Sequence, residues 1–373
     1  MAALSARLDE RAPARAPALS VRLETGPAAL ALLDERWDGL LERTSLPNPL
    51  LSTTWLRALT RWRTGEPLVA VADMGGTVVA GAALEVSRRG GRLGPRVATW
   101  LGPPELMCSA DLLVDPDRPQ AGEAVLAAVL EEVDALSVGA PASGGAARAL
   151  ATVAPWRSAA VYNARWLLPW PPPRLEYVRQ RTAGDRRRAE RLGATIEVRV
   201  ASSPEELGPA LARLYRVHRD RWRDRPDAQA RLATTRFHRH WNTAVLTELA
   251  AAGSVRLVEV VEDGRTVGAC LGLLHGTGGL AHTLAVRPGG HLREPGLLAA
   301  LVRAEALAAA GAQTVDLGHG AAEPGSPKAR LGPTPDPLAM LFAARSPARQ
   351  RLYDAPRRAR QAAAAISTGR APG

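Results

Sequence analysis

The stretch Val255–Leu274, VRLVEVVEDGRTVGACLGLL, reads as two strands joined at Glu262-Asp263-Gly264. An Asp-Gly pair between two runs of β-formers is a strong hairpin signal, because the turn needs left-handed backbone that these residues tolerate. Working outward, the downstream sequence predicts a strand over Leu280–Val286, an alanine- and leucine-rich helix over Gly296–Ala310 and a strand over Gln313–Leu317. Upstream it predicts an arginine-rich helix over Leu175–Leu192 and a strand over Thr195–Val200. A helix opened by Ser203, with Glu206 placed for a capping box, runs to Trp222, and another covers Leu232–Ala251. Hairpins mixed with helical crossovers define an α/β (α+β) chain.

The first half has a similar order: helices over Ala28–Leu41 and from Ser52, strands over Leu68–Ala72 and Thr77–Val86 around Gly75-Gly76, then a strand over Arg96–Leu101. A short strand over Asp111–Val114 follows, then helices over Pro119–Leu136 and Gly145–Val153 and a strand over Ala159–Leu168. Pro169-Trp-Pro-Pro-Pro173 is stiff and extended, and marks the boundary between two units. The expected division is a disordered tail over 1–20, units over 21–168 and 169–345, and a basic tail over 346–373. At 373 residues and 46% hydrophobic content, two cores are the expectation.

The net charge of +11 suits an anionic partner, although 37 acidic residues are interspersed with the basic ones. Cys108 and Cys270 give neither a disulfide framework nor a metal-ligand spacing, so no metal is expected and a reducing, cytoplasmic setting is. No apolar run reaches the roughly 20 residues of a transmembrane segment. The basic run Arg345–Arg360 reads as a solvated helix face.

Three constellations carry chemistry. Lys328 is the only lysine among 48 lysines and arginines, beyond a loop with Gly318, Gly320, Gly325 and Pro327 that follows Asp316 at a strand end. His218 shares a helix face with Leu211, Tyr215 and Trp222, with Arg221 one step around; it is a packed histidine or a base facing a cleft. The turn VRPGGHLREPGLL, with Arg293 and Gly296, puts a helix N-terminus after a strand, where free N–H groups can meet an anion. His238 and His240 diverge on a helix, and no phosphate loop, nucleophile elbow or His-Glu-x-x-His motif is present.

In order along the chain, RWLLPWPPPRLEYV, LYRVHRDRW, the hairpin, the turn ending PGLL, and VDLGHG with a downstream lysine resemble the acetyltransferase-like branch of the GNAT superfamily that includes cellulose-biosynthesis-associated and Fem-related proteins. SLPNPLLSTTWLRAL in the first half resembles that branch too. The resemblance implies a tandem of two GNAT-like units, each a mixed, mainly antiparallel sheet flanked by helices, the first non-catalytic. The second would move an acyl group, acetyl from acetyl-CoA in the simplest case, from acyl-CoA to an amine of a small molecule or a saccharide or peptide precursor. Leu284, Val286, Arg293, Gly296 and Leu297 would hold the acyl-CoA, and His218, Asp316 and Lys328 would act on the reacting groups. Tyr215, Arg221, Trp222, Gly318 and His319 would line the acceptor site. Pro327 stands where the branch has an aromatic residue before the lysine, and Leu298 where its phosphate loop has glycine or alanine. The alternatives are a Fem-type transferase taking an aminoacyl group from tRNA, the one reading with a nucleic-acid partner, and a non-catalytic anion-binding scaffold.

Overall fold

A computed structural model describes residues 18–60, 65–89, 91–102, 109–154, 156–222, 236–287, 289–319 and 327–348. In the first half, β1 (Leu19–Thr25), β2 (Glu66–Met74), β3 (Thr77–Arg88) and β4 (Arg96–Trp100) form an antiparallel meander, with the two-residue strand β5 (Leu113–Val114) against β3. Helices α1 (Glu35–Arg43), α2 (Thr53–Thr60), α3 (Gln120–Glu132) and α4 (Gly145–Val153) flank it, and β6 (Ala135–Pro141) adds in parallel beside β4. The chain then enters the long strand β7 (Trp156–Pro169).

The second half repeats the theme. Helices α5 (Leu175–Arg191), α6 (Pro204–Trp222) and α7 (Arg236–Ala251) surround β8 (Ile196–Ala201), β9 (Val255–Glu262), β10 (Arg265–His275) and β11 (Gly278–Val286). Helix α8 (Pro295–Ala309) crosses to β12 (Thr314–His319), which lies parallel to β11; the short helix α9 (Pro327–Leu331) and β13 (Thr334–Ala344) follow.

Among the described residues all the strands join one sheet in the order β1-β2-β3-β4-β6-β13-β7-β12-β11-β10-β9-β8, with β5 to the side. The centre is an exchange. β7, which closes the first half in sequence, pairs with β12 of the second, whereas β13 pairs with β6 of the first; β7 and β13 run antiparallel between them. The main apolar core is continuous across the halves, joining Trp37, Leu40, Trp55 and Leu84 to Leu211, Leu214, Leu246 and Leu271. At the β10–β11 turn the halves touch so closely that a Cβ on Gly278 would sit 1.8 Å from the Pro47 carbonyl oxygen, so only glycine is accommodated there.

Local chemistry set most boundaries. Ser52 Oγ accepts from the Trp55 N–H at 3.4 Å to start α2, and Ser203 and Glu206 form the predicted capping box, with Glu206 N–H to Ser203 Oγ at 3.4 Å. The chain is already in a strand at Leu19, inside the span expected to be tail. The helix predicted over Ala28–Leu41 is instead a 3₁₀ segment, Gly26–Leu32, followed by α1, because the Asp34 carboxylate caps Arg36 N–H and restarts the helix. The helix predicted to reach Leu136 ends at Glu132, since the next residues pair with β4 as β6. Lys328, expected beyond the loop that follows Asp316, lies in α9, whose first residue is Pro327.

Strand β13 was not predicted, and Pro335 and Pro337 explain why. A proline cannot donate to a ladder and argues against a central strand. Both fall where β13 pairs with β7 alone; two-sided pairing begins at Leu338, opposite Pro141 of β6.

Candidate acyl-transfer site

β11 and β12 pair only from Gly278–Thr314 to Leu280–Asp316, although β11 runs on to Val286 and β12 to His319. The strands part there and leave a wedge at the middle of the second half. On its β11 side the register with β10 jumps from Gly272–Ala281 to Leu271–Thr283, so His282 is bulged out. Beyond Leu280 the backbone of β11 has no strand partner on the wedge side among the described residues.

Asp316 stands at the apex and is 4% exposed. Its Oδ1 accepts from the Gly318 N–H at 2.7 Å, the hydroxyl of Ser109 from the first half hydrogen-bonds it, and Arg165 of β7 lies 4.0 Å from Oδ2. Burial pushes its carboxyl above the usual carboxylate range, against the pull of Arg165, Gly318, Ser109 and Lys328. Arg165 also grips Asp336 of β13 at 2.7 Å. Lys328 Nζ donates to the Gly318 carbonyl at 3.4 Å. Gly318 has φ of +75°, a left-handed conformation that lets the chain offer its N–H to Asp316 and its carbonyl to Lys328. The structure thus brings Asp316, Gly318 and Lys328 together. His319 ends β12, its side chain outside the described residues.

The other predicted residues are placed less uniformly. His218 is 6% exposed on the face of α6 that packs against the sheet, beside the core residues Leu214 and Val217. Tyr215 is half-buried against the same core, Arg221 is exposed, and the Trp222 side chain lies outside the described residues. Leu284 and Val286 lie half-buried on β11, opposite Cys270 and Gly268 of β10. Gly296 and Leu297 are buried in the first turn of α8.

The turn before α8 is already occupied. The N–H groups of Arg293 and Glu294 donate to the Asp185 carboxylate of α5 at 3.0 and 2.9 Å, and Leu292 N–H donates to Glu262 Oε2 at 3.2 Å. Arg181 and Arg330 in turn hold the Glu294 carboxylate. The tightest group of metal-ligand types among the described residues, Glu262, Asp263 and His291 within 4.8 Å, is similarly spent on the chain: Glu262 binds the His291 backbone and ring, and Asp263 accepts from Thr195 N–H.

Sequence reading missed Ser109, Arg165, Asp336, Asp185 and His282. Arg165 opens the RWLLPWPPP motif, which was legible as a marker but not as a ligand of Asp316. His282 is half-buried, stacks edge-on to Trp55 of the first half with ring centroids 5.8 Å apart, and desolvation of its ring pulls its pKa down to about 4. A pocket of about 490 Å³ opens in the first half, lined by Asn48, Ser109, Asp111, Ser143, Arg148 and Arg165 among others. Two of these, Ser109 and Arg165, also contact Asp316, so the pocket wall and the wedge apex share residues.

Residues 177–323 match the acetyltransferase (GNAT) domain family, so this part of the chain is a GNAT-type acetyltransferase domain. No curated protein matches it. Among solved structures FemX aligns with a TM-score of 0.60 at 13% identity, over 88% of this chain and 99% of that one. A conserved protein of unknown function from Bacteroides thetaiotaomicron aligns at 0.55 and 11% identity, over 87% of this chain and 100% of that one. The C-terminal domain of a protein assigned as a lysylphosphatidylglycerol synthetase of Agrobacterium fabrum aligns at 0.52 and 14%, over 87% and 96%. These likenesses establish a shared fold. Among the described residues no helix is long and apolar enough to cross a membrane.

Proposed function

We propose that the chain transfers an acyl group to an amine at the β11–β12 wedge, with Asp316 taking the amine proton. The carrying observation is Asp316 itself: a buried carboxyl at the wedge apex, shifted upward in pKa, beside the only lysine and held by Ser109 and Arg165, two residues that also line a pocket of about 490 Å³. The amine nitrogen attacks the donor carbonyl, a C–N bond forms and the bond from that carbonyl to the donor oxygen or sulfur breaks. The amine proton passes to Asp316 and on to the leaving atom; the upward shift makes Asp316 a stronger base than an ordinary carboxylate. Wedge-side N–H groups of β11 beyond Leu280, which have no strand partner among the described residues, receive the developing oxyanion, and Lys328 places a positive charge beside it. His218, buried against the sheet, supports the shape of the wall more than the proton transfer.

The Asp185 contact favours aminoacyl-tRNA over acyl-CoA as donor. A coenzyme A pyrophosphate at the α8 turn would have to displace a carboxylate that already holds the N–H groups of Arg293 and Glu294. The test uses the full chain with radiolabelled acetyl-CoA or with aminoacyl-tRNA, each with a panel of small amines. Transfer from aminoacyl-tRNA, lost in Asp316→Asn, is the expected result. Calorimetry with coenzyme A should show weak binding to the wild type and at least about tenfold tighter binding to Asp185→Ala. Acetyl transfer by the wild type at the greater rate would reverse the donor assignment, and transfer from neither donor would overturn the reading.

A further inference from the structure

The outermost strand of the second half carries a surface that acyl transfer does not use. β8 ends the sheet, with β9 on one side and, among the described residues, no strand on the other. Just before it, Thr195 turns its backbone toward β9: its carbonyl accepts from the Asp263 N–H at 3.0 Å and its N–H donates to the Asp263 carboxylate at 2.8 Å. Backbone groups alternate in direction along a strand, so Glu197, Arg199 and Ala201 also turn theirs to β9, while Ile196, Val198 and Val200 turn theirs outward. The outward row is closed at its two ends, where Arg186 holds the Ile196 carbonyl at 3.2 Å and Glu206 holds the Ser202 N–H at 3.0 Å. Between them the Ile196 N–H and both backbone groups of Val198 and Val200 have no partner among the described residues.

We propose that the chain forms a two-fold dimer through this edge, β8 pairing antiparallel with the β8 of a second copy so that two sheets become one. This surface is independent of the acyl-transfer reading.

Charge complementarity selects the occupant. Charged side chains on an edge strand usually repel an incoming strand. Here they are Glu197 and Arg199, both exposed, bonded to each other at 2.6 Å and placed on either side of Val198. A two-fold axis at Val198 sets Glu197 opposite Arg199 of the second copy and Arg199 opposite its Glu197, so the edge is complementary to itself. In the same register Val198 exchanges N–H and carbonyl with its counterpart, and the Ile196 N–H meets the Val200 carbonyl of the second copy. The apolar surface agrees. Val200 is 42% exposed, and Leu192, at the end of α5 just ahead of β8, is 54% exposed. The pairing lays Val200 of one copy opposite Ile196 of the other, at the end of β8 that follows Leu192. β1, the outer strand at the far end of the sheet, exposes no large apolar side chain.

The test is the oligomeric state of the full chain and of two charge variants. Sedimentation equilibrium from about 1 to 100 μM should show a monomer and dimer in exchange, the range in which a modest strand interface half-dissociates. Glu197→Arg and Arg199→Glu each oppose like charges across the axis, and each should weaken self-association at least about tenfold. Thermal unfolding should be unchanged in both, because the two side chains are exposed. Mixed in equal amounts, the two variants regain opposite signs at both contacts and should associate with each other. A wild type that stays monomeric over the whole range overturns the proposal and leaves the edge to another strand donor. A dimer indifferent to both substitutions overturns it as well, and variants that dissociate alone but do not associate when mixed overturn the pairing about Val198.

Discussion

In the first half β4 and β6 pair at Val97–Ala135 and Ala98–Leu136 and then part, as β11 and β12 part after Leu280–Asp316 in the second. Two residues past the last pair stand Trp100 in one case and His282 in the other. Trp100 is 4% exposed and its indole N–H donates to the Gly139 carbonyl of β6 at 2.6 Å, stapling the gap. In the second half the strand bulges at His282, whose ring turns toward Trp55. The comparison teaches that the same parting of parallel strands serves as packing when a large side chain bridges it and as a reaction space when none does.

The largest effect should come from removing the staple. Trp100→Ala is expected to cost about 3–5 kcal/mol in urea unfolding, as large-to-small changes in cores do, with the transfer rate of the folded fraction unchanged. A loss of rate at full stability would make the first wedge a second reaction site and break the contrast.

Next is the residue in the matching place. His282 has a folded pKa of about 4 against an ordinary 6.5, so the folded state resists its protonation. At neutral pH both states are uncharged there and nothing is lost. As pH falls from 6.5 toward 4 the unfolded chain takes up the proton first, and stability drops by about 3 kcal/mol. His282→Phe should flatten that part of the stability profile, and an unchanged profile would remove the histidine from the comparison.

Smaller in free energy but decisive for chemistry, Lys328→Ala and Lys328→Arg should each lower turnover by more than about tenfold, roughly 1.4 kcal/mol, with the fold intact. If both leave transfer unchanged, the apex needs Asp316 alone. Gly318→Ala sharpens the point: a left-handed position filled by alanine should cost about 1 kcal/mol and loosen the Asp316 and Lys328 contacts together, seen as a lower kcat.

What was legible in the sequence was whatever local chemistry specifies. The hairpin at Asp263-Gly264, the cap at Ser52 and the capping box at Ser203 each depend on neighbours a few residues away, and each is found in place. β6 and β13 depend on partners far along the chain, Leu136 on Ala98 and Leu338 on Pro141, so alanines and prolines with little strand preference pointed elsewhere. The site divides the same way. Asp316 and Lys328 were readable because they lie close together along the chain, on β12 and on α9. Ser109 and Arg165 reach Asp316 from the other half through the exchange, and no pattern along the chain announces a contact of that range. Asp185 was hidden inside an arginine-rich helix whose guanidinium groups drew the attention, although several of them are committed to Glu294, Glu305 and Glu190.

The strand exchange also sets a timetable for the ribosome. The edge of β6 stays uncovered while some two hundred further residues are made, because its partner is β13 and not the next strand in line. β7, made earlier, must wait for β12 on one side and β13 on the other. The halves therefore cannot be completed one after the other as the nascent chain emerges. Completion comes in a single late step when residues 334–344 leave the exit tunnel, and until then an apolar strand edge remains for chaperones to shield.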